Sequence, residues 1–184
     1  MVISGPSGVG KDTLIERLRE RDPSLRYSVS YTTRKPRGGE VEGVSYFYVN
    51  RERFEELIKQ GFFLEYATYN GNYYGTPAAA VEEARAAGHD ILLKIEVHGA
   101  AQVRPRAPDA LFIFIAPPST EELVRRQEGR EGGVPADDMA ERLKIAETEM
   151  KHSTEYDHVV INDELERAAG EVLEIIHKAR ERQT

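Results

Sequence analysis

Near the amino terminus, Gly5-Pro6-Ser7-Gly8-Val9-Gly10-Lys11 sets two glycines five apart ahead of a lysine. A loop of this kind can turn successive backbone N–H groups inward around a phosphate, because glycine adopts the backbone angles that the turn requires. A helix starting at Lys11 would aim its positive dipole end at the same anion. The Lys11 ammonium would then reach the β- and γ-phosphates of ATP. The residue after such a lysine ordinarily carries a magnesium-binding hydroxyl. Here Asp12 stands in that position and Thr13 follows. A carboxylate beside polyphosphate is repelled unless a cation lies between them. Asp12 is therefore expected to serve Mg2+, directly or through a water. The alternative is that it only occupies the first helical turn, where the dipole favours an acid by about 0.3–1 kcal/mol.

Two arginine clusters could grip further phosphate. Arg34 and Arg37 lie three apart in a polar loop, and guanidinium groups hold phosphate in a bidentate fashion. Arg126 and Arg130 lie four apart, on one face of a helix if it extends that far, and Arg142 lies on the next helix. Arg125 points from another face and is expected to be structural. Net charge is −7, so the surface as a whole will not attract nucleic acid or an anionic membrane, and positive charge must be gathered locally. There is no cysteine, which excludes disulfides and thiolate chemistry. The five histidines show no metal-ligand spacing, and no Gly-x-Ser-x-Gly elbow occurs. Apolar runs are too short to span a bilayer, and no signal peptide is expected, since Met1 leads into a short apolar run and then the glycine loop. A cytoplasmic location is expected, with an organelle form that has lost a transit peptide as the alternative.

The rest of the chain must supply the elements that position these groups. Met1–Ser4 is a short apolar run, and Lys11–Arg21 has Leu14, Ile15 and Leu18 on one helical face. Arg26–Ser30 is expected as a strand, Thr32–Ser45 as a loop and Tyr46–Val49 as a β-prone stretch. Asn50 can cap a helix to about Gln60, with Gly61 as its stop. Phe62–Tyr69 and Asn72–Tyr74 flank Asn70-Gly71, a hairpin signal. Thr76-Pro77 opens the next helix, with the threonine as cap, and Gly88 closes it. Asp90–Val97 and Leu111–Ala116 are expected as buried strands. Ser119 caps a helix to about Glu128, and Gly129–Pro135 is a break. Ala136–Glu155 is a long helix, His158–Ile161 a last strand and Glu164–Arg182 a terminal amphipathic helix. Alternating strands and helices predict an α/β fold with a parallel core sheet flanked by helices. A small mixed or antiparallel sheet is inserted around Tyr46–Tyr74. At 184 residues one compact unit fits, with room for an insertion or flap.

Ser28-Val29-Ser30-Tyr31-Thr32-Thr33-Arg34-Lys35-Pro36-Arg37-Gly38-Gly39-Glu40 resembles the GMP-binding signature of the guanylate kinase family. Gly43–Phe47, Phe63-Leu64-Glu65-Tyr66 and Gly71–Thr76 match that family in order and spacing, and Leu123–Arg130 resembles the start of its lid. The similarity runs along essentially the whole chain. It implies a P-loop kinase with a core (1–30, 80–120 and 152–184), a GMP-binding subdomain of about 31–79 and a helical lid of about 121–151. The implied reaction moves a phosphoryl group from ATP to GMP, and to dGMP, in purine nucleotide metabolism. Mg2+ accompanies ATP; no tightly bound cofactor and no obligate protein partner are implied.

Residue by residue, the resemblance assigns Lys11, Arg34, Arg126, Arg130 and Arg142 to catalysis. Gly5–Thr13 and Asn162 fall to ATP, Asn162 near the adenine. Ser30, Arg34, Arg37, Glu40, Tyr46, Glu65, Tyr74, Thr76 and Glu96 fall to GMP. Guanine presents two donors, N1–H and the exocyclic amine, and one carboxylate, Glu65, can accept from both. Ser30, Tyr46 and Tyr74 can donate hydroxyl hydrogen bonds to the acceptor phosphate, and Thr76 brings a hydroxyl near the base. Glu96 stands where the family has Asp, at the end of a buried strand where an acid can also hold magnesium or its waters. Lys94, where a second acid is common, receives no role. Two other readings remain open: a kinase of this fold with a different acceptor, and a non-catalytic guanylate-kinase-like binding module. Glu65 with Thr76 argues against the first, and the intact Gly5–Lys11 loop against the second.

Overall fold

The computed structural model describes residues 1–128 and 136–182, with no side chains described for 136–142. In chain order the elements begin β1 (Val2–Ser4), α1 (Lys11–Arg21), β2 (Arg26–Tyr27), β3 (Tyr31–Thr32), β4 (Phe47–Tyr48) and α2 (Arg51–Lys59). There follow β5 (Phe63–Tyr69), β6 (Asn72–Pro77), α3 (Ala78–Ala86), β7 (Ile91–Lys94), α4 (Val97–Val103) and β8 (Phe112–Ala116). The chain continues through α5 (Thr120–Glu128), α6 (Ala136–Lys151), a 3-10 turn (His152–Glu155), β9 (His158–Ile161) and α7 (Leu165–Glu181). Two compact units share it: Met1–Pro23 with Leu111–Thr184, and Ser24–Ala110.

In the first unit β8 pairs in parallel with β1 on one side and β9 on the other. All five residues of β8 are buried, as a parallel strand covered on both faces requires. Helix α1 buries Leu14, Ile15 and Leu18, and α7 buries Ala168, Ala169, Val172 and Ile176. Arg180–Asp22 (2.8 Å) and Arg17–Glu166 (2.8 Å) tie the rims of these helices.

In the second unit β2 and β7 form a parallel pair. A four-stranded sheet of order β4-β3-β6-β5 accompanies them, with β3 parallel to β4 and antiparallel to β6. The β5–β6 hairpin turns at Asn70 and Gly71, both with positive φ (47° and 72°), the pair of left-handed residues that such a turn demands. Asn50 caps α2 as expected, its Oδ1 accepting from the Arg53 N–H at 2.8 Å. Phe54 of α2 stacks on Phe63 at 4.5 Å between centroids, giving this sheet its own small core.

The α/β class is as expected, but several boundaries differ. The strand expected over Arg26–Ser30 ends at Tyr27. Tyr31 and Thr32 lie in β3, and the Thr32 hydroxyl donates to the Tyr73 carbonyl (2.9 Å). Thr76 does not cap α3. It belongs to β6, and Pro77 holds the cap position, because the Thr76 hydroxyl is engaged elsewhere. The expected strand Asp90–Val97 stops at Lys94, and a short helix, α4, follows. Its buried residues Val97, Ala100 and Val103 recur every three positions, a spacing hidden by the β-prone Ile-Leu-Leu run before it. The long helix tightens into the 3-10 turn after Lys151. The expected break at Gly129–Pro135 lies outside the described residues.

Candidate active site

Gly5–Gly10 links β1 to α1, and three of its glycines have positive φ: Gly5 (140°), Gly8 (92°) and Gly10 (95°). Their reasons differ. A Cβ on Gly5 would strike the Ile115 carbonyl oxygen, and one on Gly8 would lie 2.7 Å from Gln127 Cγ. Gly10 is the N-cap of α1 and has no side chain to occupy the first-turn N–H groups, leaving them for an anion. The Lys11 ammonium folds back over the loop, donating to the carbonyls of Gly5 and Pro6 (3.1 Å to Pro6). Asp12 and Thr13 are exposed in the first turn of α1, directly behind the loop.

The loop's outward carbonyls are gripped by side chains from distant sequence. Asn162, buried after β9, donates its amide to the Val9 carbonyl at 2.8 Å. Asn162, expected near the adenine, thus braces the Gly5–Gly10 loop in this structure. Arg126 spans from Glu122 (2.8 Å) to the Val9 carbonyl (3.3 Å). Gln127 is 1% exposed and donates from Nε2 to the Ser7 carbonyl at 2.7 Å; its Oε1 has no partner among the described residues. Gln127 was not singled out in the sequence. The available signal was a polar residue four after the buried Leu123, on the apolar stripe of α5. Arg125 pairs with Glu122 and stays exposed. Arg130 and the side chain of Arg142 lie outside the described residues.

The second unit contains a pocket lined by Ser30, Tyr46, Glu65, Tyr69, Tyr74, Lys94 and Glu96 together with Ala67, Gly75 and Ile95. Residues far apart in sequence thus meet there. Strand pairing does this: β6 sets Thr76 opposite Glu65 of β5 and Gly75 opposite Tyr31 of β3. Glu65 is 4% exposed, and its Oε1 accepts from the Thr76 hydroxyl at 2.5 Å. Burial pushes the Glu65 carboxyl up to about 7; the Thr76 hydrogen bonds pull it down and the nearby Glu96 charge adds to the rise.

Arg34 and Glu40 form a two-point ion pair at 2.7 and 3.0 Å. Burial works against the Glu40 charge, but Arg34, the Arg37 N–H (2.7 Å) and the Tyr48 hydroxyl (2.8 Å) together hold its carboxyl down to about 2. Burial likewise opposes the Arg34 charge, and Glu40 and Tyr74 outweigh it, so the guanidinium stays charged. Arg34 Nε is buried with no partner among the described residues, so one donor remains for an anion. The Arg37 side chain is exposed beside this cluster. The Tyr46 ring lies between two cations, Lys94 Nζ at 4.5 Å from its centroid and Arg34 Cζ at 5.5 Å. Lys94 was given no part in the sequence reading. Its position at the carboxyl end of a parallel strand, where α/β proteins place ligand groups, was the usable sign.

The guanylate kinase family model matches residues 1–179. A guanylate kinase of Synechococcus sp. (strain CC9311) is 51% identical over 172 residues, covering 93% of this chain and 90% of that protein. The crystal structure of guanylate kinase from Anaplasma phagocytophilum superposes with a TM-score of 0.81 at 36% identity, over 96% of this chain and 83% of that one. A shikimate kinase from Bacteroides thetaiotaomicron, 14% identical with a TM-score of 0.54 over 96% of both chains, shares the fold alone.

Proposed function

This chain belongs to the guanylate kinase family, and from that premise we infer that it transfers the terminal phosphoryl group of ATP to GMP and dGMP, yielding ADP and the diphosphate. The observation that carries the choice of acceptor is Glu65, a buried carboxylate in the pocket of the second unit, fixed through one oxygen by Thr76. An ionised Glu65 can accept from both the N1–H and the exocyclic amine of guanine, whereas adenine offers no such pair of adjacent donors. Ser30, Tyr46, Tyr74, Arg34 and Arg37 hold the acceptor phosphate, with Glu40 clamping Arg34. Glu96 completes the lining.

The donor half is read on Gly5–Thr13. Backbone N–H groups and Lys11 hold the ATP phosphates, and Asn162 braces the loop beside the adenine end. Transfer of this kind depends on positioning and neutralising charge rather than on a strong base. Arg126, Arg130 and Arg142 supply cations from a lid of about 121–151, and its closure excludes water as a competing acceptor. Residues of about 31–79 form the GMP-binding subdomain, and 1–30, 80–120 and 152–184 the core. Mg2+ bound with ATP would supply charge neutralisation at the donor phosphates. Among the described residues no three His, Cys, Asp or Glu side chains gather as a metal cage. Asp12, exposed and directly behind the loop, is the oxygen ligand of this chain that suits such an ion, directly or through a water. Among the described residues no helix is long and apolar enough to cross a membrane; we place the reaction in the cytoplasm.

Release of ADP, followed by a coupled assay with each nucleoside monophosphate in turn, tests the reading. GMP and dGMP should turn over, and AMP, CMP and UMP should be poorer by several powers of ten in kcat/KM, as for a site built around buried polar pairing. Comparable kcat/KM for AMP and GMP would overturn the acceptor assignment.

A further inference from the structure

Helix α4 carries a glycine, Gly99, in its first turn with no left-handed φ to explain it. At such a position alanine would favour the helix by about 1 kcal/mol. What Gly99 leaves room for is the Glu65 carboxylate. A Cβ at this position would collide with Glu65 Oε2, and would lie 3.0 Å from Glu65 Cδ. The same helix, through Gln102, and the turn that follows it, through Arg106, are fastened to the strand on either side of Glu65. The Gln102 amide donates to the Tyr66 carbonyl at 2.7 Å and accepts from the Tyr66 N–H at 3.4 Å. Arg106 Nη1 donates to the Leu64 carbonyl at 2.5 Å. Helix and strand are therefore held together by bonds to the residues flanking Glu65, and the missing side chain at Gly99 fixes how close the carboxylate can lie.

We propose that α4 sets base specificity: Gly99 and Gln102 are positioning residues that hold the Glu65 carboxylate at the place from which it accepts from guanine. Thr76 orients one oxygen, and the space over Gly99 receives the other. A methyl group at Gly99 would push only the end of a side chain, so the fold survives the change. The recognition does not survive it, because a carboxylate reading two donors at hydrogen-bond distance cannot move aside and keep both.

This inference rests on the reading of Glu65 as the guanine acceptor, and the test separates the two. Gly99→Ala, Glu65→Ala, Glu65→Asp and the double variant Gly99→Ala with Glu65→Asp are assayed for KM and kcat with GMP, AMP and ATP, beside thermal melting. Gly99→Ala is expected to raise KM for GMP by roughly tenfold or more, lower the preference for GMP over AMP, and leave KM for ATP and the melting temperature near those of the parent. The double variant, whose carboxylate is one methylene shorter, should recover GMP affinity relative to Gly99→Ala. If Glu65→Ala destroys the GMP preference while Gly99→Ala keeps it, the inference fails alone. If Glu65→Ala keeps the preference, the underlying reading fails. Equal losses for ATP and GMP in Gly99→Ala mark a general defect and also overturn the positioning role. Should Gly99→Ala not fold, Gln102→Ala removes the fastening without adding an atom; it should show the same split between GMP and ATP at smaller size, and an unchanged GMP preference overturns the proposal.

Discussion

The proposed phosphate loop and the proposed acceptor pocket would solve recognition in opposite ways. The loop is a run of contiguous residues whose backbone does the binding. Side chains are absent from it where they would collide, as at Gly5 and Gly8, and distant residues such as Asn162 and Gln127 hold its carbonyls. The proposed acceptor pocket is lined by side chains drawn from Ser30 to Glu96; its buried Glu65 depends on Thr76 and on the space over Gly99, as Arg34 beside Tyr46 depends on Glu40. Backbone N–H groups recognise any phosphate, and their geometry is set locally. Distinguishing one base from another needs donors and acceptors at fixed points in space, which only side chains held by tertiary contacts provide.

The sharpest way to break this contrast is to remove one cation from each half. Lys11→Ala should lower kcat by about 10²–10³, the loss typical of removing one preorganised charge-stabilising donor, while GMP affinity stays close to that of the parent. Arg34→Ala should raise KM for GMP by about 10–100-fold, as expected for losing a charge-assisted contact of roughly 1.5–3 kcal/mol, with little change for ATP. Steady-state kinetics with each substrate varied in turn decides it. If both variants weaken the same ligand by the same factor, the two halves are not separate.

A smaller effect separates the halves by pH. The Glu65 carboxyl titrates at about 7 in the folded protein, above the 4.5 of an unperturbed glutamate. Between those values the folded state keeps a proton that the unfolded chain has released. Stability therefore falls as pH rises from 4.5 towards 7 and levels off above it. Binding runs the other way, because guanine donors need the ionised carboxylate. KM for GMP should rise as pH drops below about 7, while KM for ATP does not follow. Glu65→Gln should flatten the Glu65 contribution to both profiles. A KM for GMP that is indifferent to pH across this range in the parent protein would remove Glu65 from the acceptor role.

The smallest expected change concerns Asp12, the acidic side chain in the first turn of α1 next to Lys11. If it serves the metal, Asp12→Ala raises the Mg2+ concentration for half-maximal rate, and Asp12→Ser restores part of it. If it only stabilises the first turn of α1, both variants lose a little melting temperature, corresponding to about 0.3–1 kcal/mol, and keep the parent's Mg2+ dependence. A titration of rate against Mg2+ distinguishes the two.

The sequence by itself determined what is local. Gly5–Lys11 was legible as a glycine-built loop leading into a helix, the basis for proposing that it holds phosphate, because that geometry lies in adjacent backbone units. The Asn50 cap and the Asn70-Gly71 turn were legible because caps and tight turns are satisfied within a few residues. The ordered family motifs located Arg34, Glu65 and Thr76, yet not how they are held. That Thr76 bonds Glu65 instead of capping α3 depends on a cross-strand register. That Glu40 is locked to Arg34 and Tyr48 depends on a folded loop. Gln127 and Lys94 took their places through packing, and α4 was hidden behind a β-prone run. Tertiary structure alone decided these points, because the energy of a buried polar group lies in the partner it finds across the fold, and that partner is not written beside it in the chain.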